Sequence, residues 1–411
     1  MQAYSHTSNL GKFMKRIIER VSFALLAFSL LSVSLRAAEG AVIDSMDDVS
    51  TFAAPKEKGS LKAVDGKVGK AIEFTFADQC SGIFFTGKAR ATPEWDKAAG
   101  FSFWVKGDGS DHFGGLQFIY GEDYAIRYTY AFPIDNKDWK KITVAWSDLV
   151  SVLSHDPAEA FQPSKLSGIW VGKWFFWKDY GAHTFAIDDV RLEPVIELDK
   201  QDYKPAGDPL ARVMAKLKAG KPVTIVTMGD SLTDYGHWAN KNVNWPTLLK
   251  TQLKEKYKSD VTIVNPAIGG TELRQGTALI PRWVKTAPEP DLVTVFYGFN
   301  DFAGGMHGPM FEKTYSDTID RIRRATHGKS DVLVMCTAPA ASKWDDMAEM
   351  AEACRKAADA KHTGLCDIYA IFHEAGKAGK DQFYVDDKTH MAEPGHRLIA
   401  KSVQEAIEKG K

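Results

Sequence analysis

A serine hydroxyl can attack a carbonyl carbon when an imidazole takes its proton and a carboxylate orients that imidazole. This chain offers all three groups in separated blocks. Ser231 lies in Met228-Gly229-Asp230-Ser231-Leu232-Thr233, and Asp387 and His390 lie in Asp387-Lys388-Thr389-His390. Two further blocks supply candidate donors for a developing oxyanion: Asn265-Pro266-Ala267-Ile268-Gly269-Gly270-Thr271 and Gly298-Phe299-Asn300-Asp301. The backbone N–H groups of Ser231 and Gly270, with the Asn300 side-chain amide, would aim three donors at one oxygen. Removing one such donor typically costs roughly 2.7–4 kcal/mol of transition-state stabilisation. Glycine at 270 lets backbone approach the substrate, and asparagine at 300 donates without changing charge. Asp230 is expected to hold the turn by bonding neighbouring N–H groups. Asp386, adjacent to Asp387, points elsewhere, and His396, after Pro394-Gly395, reads as structural. Taken alone, Gly-Asp-Ser is a common turn, Asn300-Asp301 a turn after a strand, and His390 a surface histidine. Their meeting in one domain carries the argument. No spacing of His, Cys, Asp or Glu matches a metal-ligand motif, so neither metal nor cofactor is expected.

The elements that must position these blocks are strands alternating with helices. Val223–Met228, Val261–Val264, Leu292–Tyr297, Val332–Cys336 and Leu365–Ile368 are short apolar, β-branched runs. Helical stretches at Trp245–Tyr257, Thr314–Arg324, Asp345–Ala360 and Pro394–Glu408 separate them. Such alternation gives parallel βαβ units and a doubly wound α/β sheet, whose active sites lie at the carboxyl ends of the strands. The Ser231, Gly270 and Asn300 blocks each follow a strand, so all three reach the same sheet edge.

With the four blocks in this order, residues 220–411 resemble the SGNH (GDSL) hydrolase family. Ser231 matches its serine, Gly270 its glycine, Asn300 the asparagine of Gly-x-Asn-Asp, and His390 the histidine of Asp-x-x-His. Ala267 departs from the glycine found in many members, at a position that is not the functional one. The resemblance implies a flavodoxin-like sheet and ester hydrolysis, with His390 passing the proton from Ser231 to the leaving alcohol and Asp387 orienting the ring.

The preceding residues read differently. Alternating or aromatic-rich runs at Ala71–Phe76, Phe101–Val105, Leu116–Tyr120, Ala125–Phe132, Lys141–Trp146, Gly168–Trp177 and Thr184–Leu192 are separated by turn clusters. Many short strands at this spacing give an all-β sandwich or jelly roll. The segments Phe101–Gly109, Asp138–Val144 and Phe185–Leu192 resemble carbohydrate-binding jelly rolls found beside polysaccharide-degrading enzymes. Strand alternation places Trp170, Trp174 and Phe176 on one face, with Phe175 and Trp177 on the other beside Ile169 and Val171. Trp170, Trp174, Tyr128 and Tyr130 are the candidates for a sugar groove, against core packing as the simpler role of any single ring. Asp44, Asp47, Asp48, Asp188 and Asp189 have the oxygen ligands for calcium, but fit a solvated face better.

At 411 residues the chain exceeds one ordinary core. Residues 1–38 read as a signal peptide, 41–195 as the sandwich, 196–209 as a polar linker and 210–411 as the hydrolase domain. Lys12, Lys15, Arg16 and Arg20 precede the apolar run Val21–Leu35, and small residues follow it. That run is short for a membrane span of about 20 residues. Met14 offers a second start, and Arg36 sits awkwardly near a cleavage site. These features predict a secreted or periplasmic protein without a stable membrane span. The net charge of −1 offers no basic field to nucleic acid. Four cysteines do not make a disulfide scaffold; Cys336 reads as a buried thiol, Cys80 stands alone, and Cys354 and Cys366 are a candidate pair. The reading is an exported esterase acting on an acylated polysaccharide, most of all on its O-acetyl groups, or on a small ester. A lipase or small-acyl esterase is the rival enzyme. A sugar-binding protein with a dead hydrolase domain is the non-enzymatic rival, opposed by the complete set of five catalytic candidates.

Overall fold

Alternate residues of the first half turn inward from short antiparallel strands, and in the computed structural model these strands form two facing sheets. The structure describes residues 40–54, 59–78, 84–121, 123–151, 160–173 and 181–410. One sheet runs Gly59–Asp65, Lys70–Phe76, His183–Glu193, Gly100–Gly107 and Lys140–Ala145, with Val42–Asp44 paired to His183–Glu193. The other runs Val150–Ser151, Asp123–Pro133, Phe113–Tyr120, Leu166–Lys173, Phe84–Lys88 and Phe52–Ala53. Between them Phe74, Phe76, Phe85, Phe101, Phe118 and Phe132 are fully or almost fully buried. Their rings meet largely edge to face, as for Phe74–Phe85 and Phe101–Phe118, both at 5.2 Å. The strand Gly59–Asp65 escapes sequence reading because it is an edge strand with most side chains exposed or half-exposed.

Asp188 is not on a solvated face. It is fully buried, and its carboxylate accepts the backbone N–H groups of Lys67 and Val68, pinning that turn. Among the described residues no three His, Cys, Asp or Glu side chains come together as a metal-ligand set.

The second half is a parallel sheet in the spatial order Val261–Val264, Val223–Gly229, Leu292–Phe296, Asp331–Met335, Gly364–Cys366. Numbered along the chain this is 2-1-3-4-5, the flavodoxin-like order, whose direction of winding reverses between the first and third strands. Alternate strand residues feed opposite cores. Ile225, Leu292, Leu333 and Met335 pack against Ala211–Lys218, Trp245–Tyr257 and Glu393–Lys409. Val226, Val293, Val295 and Val334 pack against Gly308–Ala325 and Ala348–Lys361. Burial on both faces explains why these strands read as continuous apolar runs. The expected strand at Leu365–Ile368 stops at Cys366, because Asp367 accepts the Ala370 N–H and caps a helix, Ile368–Ala375. Cys354 and Cys366 belong to the two opposite cores and are free, as is Cys336. Cys80 and the segment read as a signal peptide lie outside the described residues. No helix of the described residues is long and apolar enough to cross a membrane.

The sandwich and the parallel sheet are parts of one compact unit, Val42–Lys411. Phe113, Ala131 and Val150 of the sandwich share a small core with Ala278 and Leu279, flanked by Ile268. Arg274, almost fully buried, donates to Ser151 Oγ at 2.8 Å and to Thr314 Oγ1 at 3.2 Å. Arg321 donates to the carbonyl oxygens of Ser147, Asp148 and Leu149. The connecting segment is irregular yet anchored: Lys204 donates to Ala360 O, and His362 Nε2 lies 2.7 Å from Gly207 O.

Candidate active site

Gly229 ends the first strand where no side chain fits: a Cβ there would lie 2.4 Å from Thr233 Oγ1 and 2.6 Å from Thr233 Cβ. The chain then folds into one tight turn, with Asp230 O accepting the N–H groups of Thr233 and Asp234. Asp230 Oδ1 also accepts the Leu232 N–H at 3.0 Å, the turn-holding role read from sequence. Ser231 sits on this turn, largely buried. No long helix follows at once, since the next α-helix begins at Trp245.

The loop Phe383–Ala392 brings the other two members. It is closed by Val385 N–H to His390 O and by Ala392 N–H to Phe383 O. Lys388 adopts φ 60°, an unusual conformation for a residue with a side chain, and its carbonyl accepts the Ala341 N–H. His390 Nε2 lies 2.9 Å from Ser231 Oγ, and His390 Nδ1 lies 2.5 Å from Asp387 Oδ2. Asp387 Oδ1 accepts the backbone N–H groups of Thr389 and His390, both at 2.9 Å. Burial alone would raise the Asp387 pKa, but these bonds and the adjoining ring hold it below the ordinary carboxylate value. Asp386 is exposed, and His396 is buried away from the relay with neither ring nitrogen hydrogen-bonded.

Gly270 follows the second strand with φ 77°, a conformation glycine adopts without strain. Among the described residues no protein acceptor takes the Ser231 or Gly270 backbone N–H. The Asn300 amide, after the third strand, donates to Thr271 O at 3.0 Å and to Asp230 Oδ2 at 3.3 Å. Ser231 and Asn300 thus follow the two strands between which the winding reverses, where the fold leaves a crevice.

Three acids lie behind these donors. Burial pushes Asp230 and Glu272 up to about 7. It pushes Asp301 well above the ordinary range, with the Glu272 charge adding to the effect. Of the three, Asp301 is raised furthest and adds no full negative charge behind the candidate donors.

Sequence reading misses His237, Trp238 and Asn240. His237 stacks on the His390 ring at 4.2 Å, and Trp238 meets it edge-on at 5.7 Å. Asn240 donates its amide to Ser231 O at 2.6 Å. The aromatic pair lies six and seven positions after Ser231, and that proximity is the only signal the sequence offers.

The four sugar-groove candidates fare differently. Trp170 lies on the outer sheet face, lining a groove of about 1020 Å³ with Thr86, Lys88 and Arg90, and the Arg127 guanidinium sits over its ring. Tyr128 and Tyr130 point inward, paired with Phe118 and Leu116 across the sheet, so neither lies on that outer face. Burial raises the Tyr130 pKa to about 12. Tyr128 reaches a separate cavity of about 310 Å³ lined also by Phe161, Arg274 and Arg321. Trp174, with Phe175, Phe176 and Trp177, lies outside the described residues.

Residues 227–398 match the sequence profile of the GDSL-like Lipase/Acylhydrolase family, and residues 36–192 that of the Carbohydrate binding domain (family 11). Thioesterase 1/protease 1/lysophospholipase L1 of Escherichia coli (strain K12) is 29% identical over 113 residues, 28% of this chain and 51% of that protein. The chain therefore spans about half the length of the curated relatives it matches. A GDSL-like lipase from Parabacteroides merdae is 25% identical, with a TM-score of 0.39 over 46% of this chain and 96% of its own. The family 11 carbohydrate-binding module of Clostridium thermocellum, solved with a β-1,3-1,4-mixed-linked tetrasaccharide, is 17% identical, with a TM-score of 0.33 over 39% of this chain and 98% of its own. The chain thus joins a segment matching the family 11 carbohydrate-binding profile to one matching the GDSL-like lipase/acylhydrolase profile.

Proposed function

We propose that this protein is an exported serine esterase that removes O-acetyl groups from a polysaccharide. The observation that carries the chemistry is the unbroken contact from Asp387 through His390 to Ser231 Oγ. Ser231 Oγ attacks the ester carbonyl carbon while His390 Nε2 takes the hydroxyl proton. The carbonyl oxygen becomes an oxyanion facing the Ser231 and Gly270 N–H groups, and the Asn300 N–H held by Asp230 Oδ2 at 3.3 Å turns to it as a third donor. Collapse of this intermediate breaks the bond to the alcohol oxygen, which leaves with the proton from His390. Water then adds to the acyl-serine, again giving a proton to His390, and the carboxylic acid departs as Ser231 recovers its proton. Asp387 stays ionised throughout and steadies the imidazolium.

The sugar side of the proposal rests on the family 11 domain and on the groove beside Trp170. Export rests on the basic, then apolar, then small-residue order of the first 38 residues. A lipase-like reading is favoured by the Escherichia coli relative, whose name includes lysophospholipase. The deciding measurement compares acetate release from acetylated xylan, pectin and other glycans with cleavage of nitrophenyl esters of increasing acyl length. Acetyl preference with activity on a glycan supports the proposal, and a preference for long acyl chains supports the lipase. Ser231→Ala should abolish either activity in a folded protein. Retention of more than about one hundredth of the turnover would remove Ser231 from the mechanism.

A further inference from the structure

The loop between Ser231 and the helix Trp245–Tyr257 takes no part in proton transfer, yet it lays two aromatic side chains against the imidazole that does. His237 covers one face of His390, with ring centroids 4.2 Å apart and planes at 29°. Trp238 approaches the same ring edge-on, at 5.7 Å and 64°. Trp238 is 59% exposed, and no other described tryptophan is predominantly open to solvent.

The loop is held in register with the nucleophile. Asn240, fully buried, donates its side-chain amide to Ser231 O at 2.6 Å and to Asp234 O at 2.7 Å, and its backbone N–H to His237 O. Asp234 in turn accepts the Gly269 N–H at 2.9 Å, next to the oxyanion glycine. The short turn Trp238–Asn240 is therefore fixed to both the serine and the Gly269-Gly270 segment.

Geometry decides which half of an ester meets this turn. The carbonyl oxygen must face Gly270 and Asn300. The leaving oxygen must come within hydrogen-bond reach of His390 Nε2, because that nitrogen returns the proton. The body of the alcohol then lies beside the imidazole, whose edge-on neighbour Trp238 is open to solvent. A flat, open indole suits the C–H face of a pyranose ring, offering large rigid contact area at small entropic cost. We infer that Trp238, positioned by Asn240, is a stacking platform for the sugar ring that carries the ester, and so selects the alcohol and not the acyl group. This inference rests on the proposal that the alcohol is a sugar.

The test compares full-length wild type, Trp238→Ala and Trp238→Phe on two acetyl esters, acetylated xylo-oligosaccharide and ethyl acetate, with ethyl butyrate to report acyl choice. Trp238→Ala should raise KM for the oligosaccharide about tenfold or more with kcat little changed. It should alter kcat/KM for ethyl acetate by less than about threefold and leave the acetate-to-butyrate ratio unchanged. Trp238→Phe should recover most of the oligosaccharide activity, and inhibition by deacetylated oligosaccharide should weaken only in Trp238→Ala. Equal losses on both acetates, or a shifted acetate-to-butyrate ratio, would overturn the platform. An oligosaccharide KM unmoved in Trp238→Ala would do the same while leaving the glycan proposal intact. A wild type that cleaves ethyl acetate but no acetylated glycan would instead defeat the glycan proposal, and the platform with it. Circular dichroism and thermal unfolding serve as folding controls, and this exposed side chain should leave both unchanged.

Discussion

Asp387 grips His390 at two points: its Oδ2 meets ring Nδ1 at 2.5 Å, and its Oδ1 accepts the His390 backbone N–H at 2.9 Å. Three residues of separation in one tight loop make both contacts possible, and the left-handed Lys388 provides the bend. The carboxylate therefore sets both the position of the ring and its tautomer, leaving Nε2 free of a proton and facing Ser231.

Asp387→Asn should keep the loop but present a donor where the ring needs an acceptor. The expected loss in kcat is on the order of 10⁴-fold, the scale found when the carboxylate of a serine-protease triad becomes an amide. Steady-state kinetics on a small acetyl ester measures it. A loss below about tenfold would mean that another group orients His390.

Asn300→Ala should lower kcat by roughly 10²–10³-fold with KM much less affected, because the amide acts on charge present only in the transition state. Its bonds to Thr271 O and Asp230 Oδ2 hold two loops together, so a modest fall in melting temperature should accompany the change. A large rise in KM with unchanged kcat would make Asn300 a ground-state binding residue.

Chemistry restricts residue type, and this is why candidates for a relay and its donors can be picked out from sequence. Ser231, Gly270 and Asn300 each follow a strand within a few residues, and Asp387 and His390 share one loop, so short-range patterns suffice. His237 and Trp238 are not legible in the same way. Nothing local says that an aromatic pair six and seven residues beyond a serine will fold back onto a histidine 153 and 152 positions later. The helices Leu273–Ala278 and Ile280–Val284 are too short to show a helical period. Tyr128 and Tyr130 show the limit of strand alternation: it says that they share a face, while Phe132 and the facing sheet decide that the face is the core. The shared core of Phe113, Ala131 and Val150 with Ala278 and Leu279 is also hidden, since each reads as an ordinary residue of its own element.

That shared core bears on how independent the domains are. A polar linker suggests that each domain folds alone, but removing the first 203 residues would bare Ile268, Ala278 and Leu279 and strip Arg274 of Ser151. The shortened chain should melt lower than the full chain and associate as concentration rises. In the full chain, Arg274→Met should cost about 1.5–3 kcal/mol, the usual range for hydrogen bonds to a charged group. Calorimetry of the two full-length proteins checks this, and identical transitions would show that the interface adds little to stability.

His396 gives the clearest dependence of stability on pH. Its ring is 1% exposed, neither nitrogen has a hydrogen-bond partner, and burial pushes its pKa from 6.5 down to about 4. Between those values the unfolded chain binds a proton at this position and the folded chain does not. Stability from keeping the ring neutral is thus complete above about pH 6.5 and is lost as pH falls toward 4. The contribution is about 3 kcal/mol at most, at 1.36 kcal/mol per unit. Asp230 and Glu272 act in the opposite sense: their raised pKa values make the folded state lose stability as pH rises toward about 7. Wild type alone therefore shows a mixture of both trends. The difference between wild type and His396→Leu isolates the histidine. The variant should match or exceed wild-type stability at pH 8, where it no longer buries unpartnered ring nitrogens. Its advantage should widen steadily as pH falls through the interval from 6.5 to 4. Urea unfolding at half-unit steps of pH measures that difference, and a gap that stays constant across the interval would mean that His396 takes up its proton equally well in the folded chain.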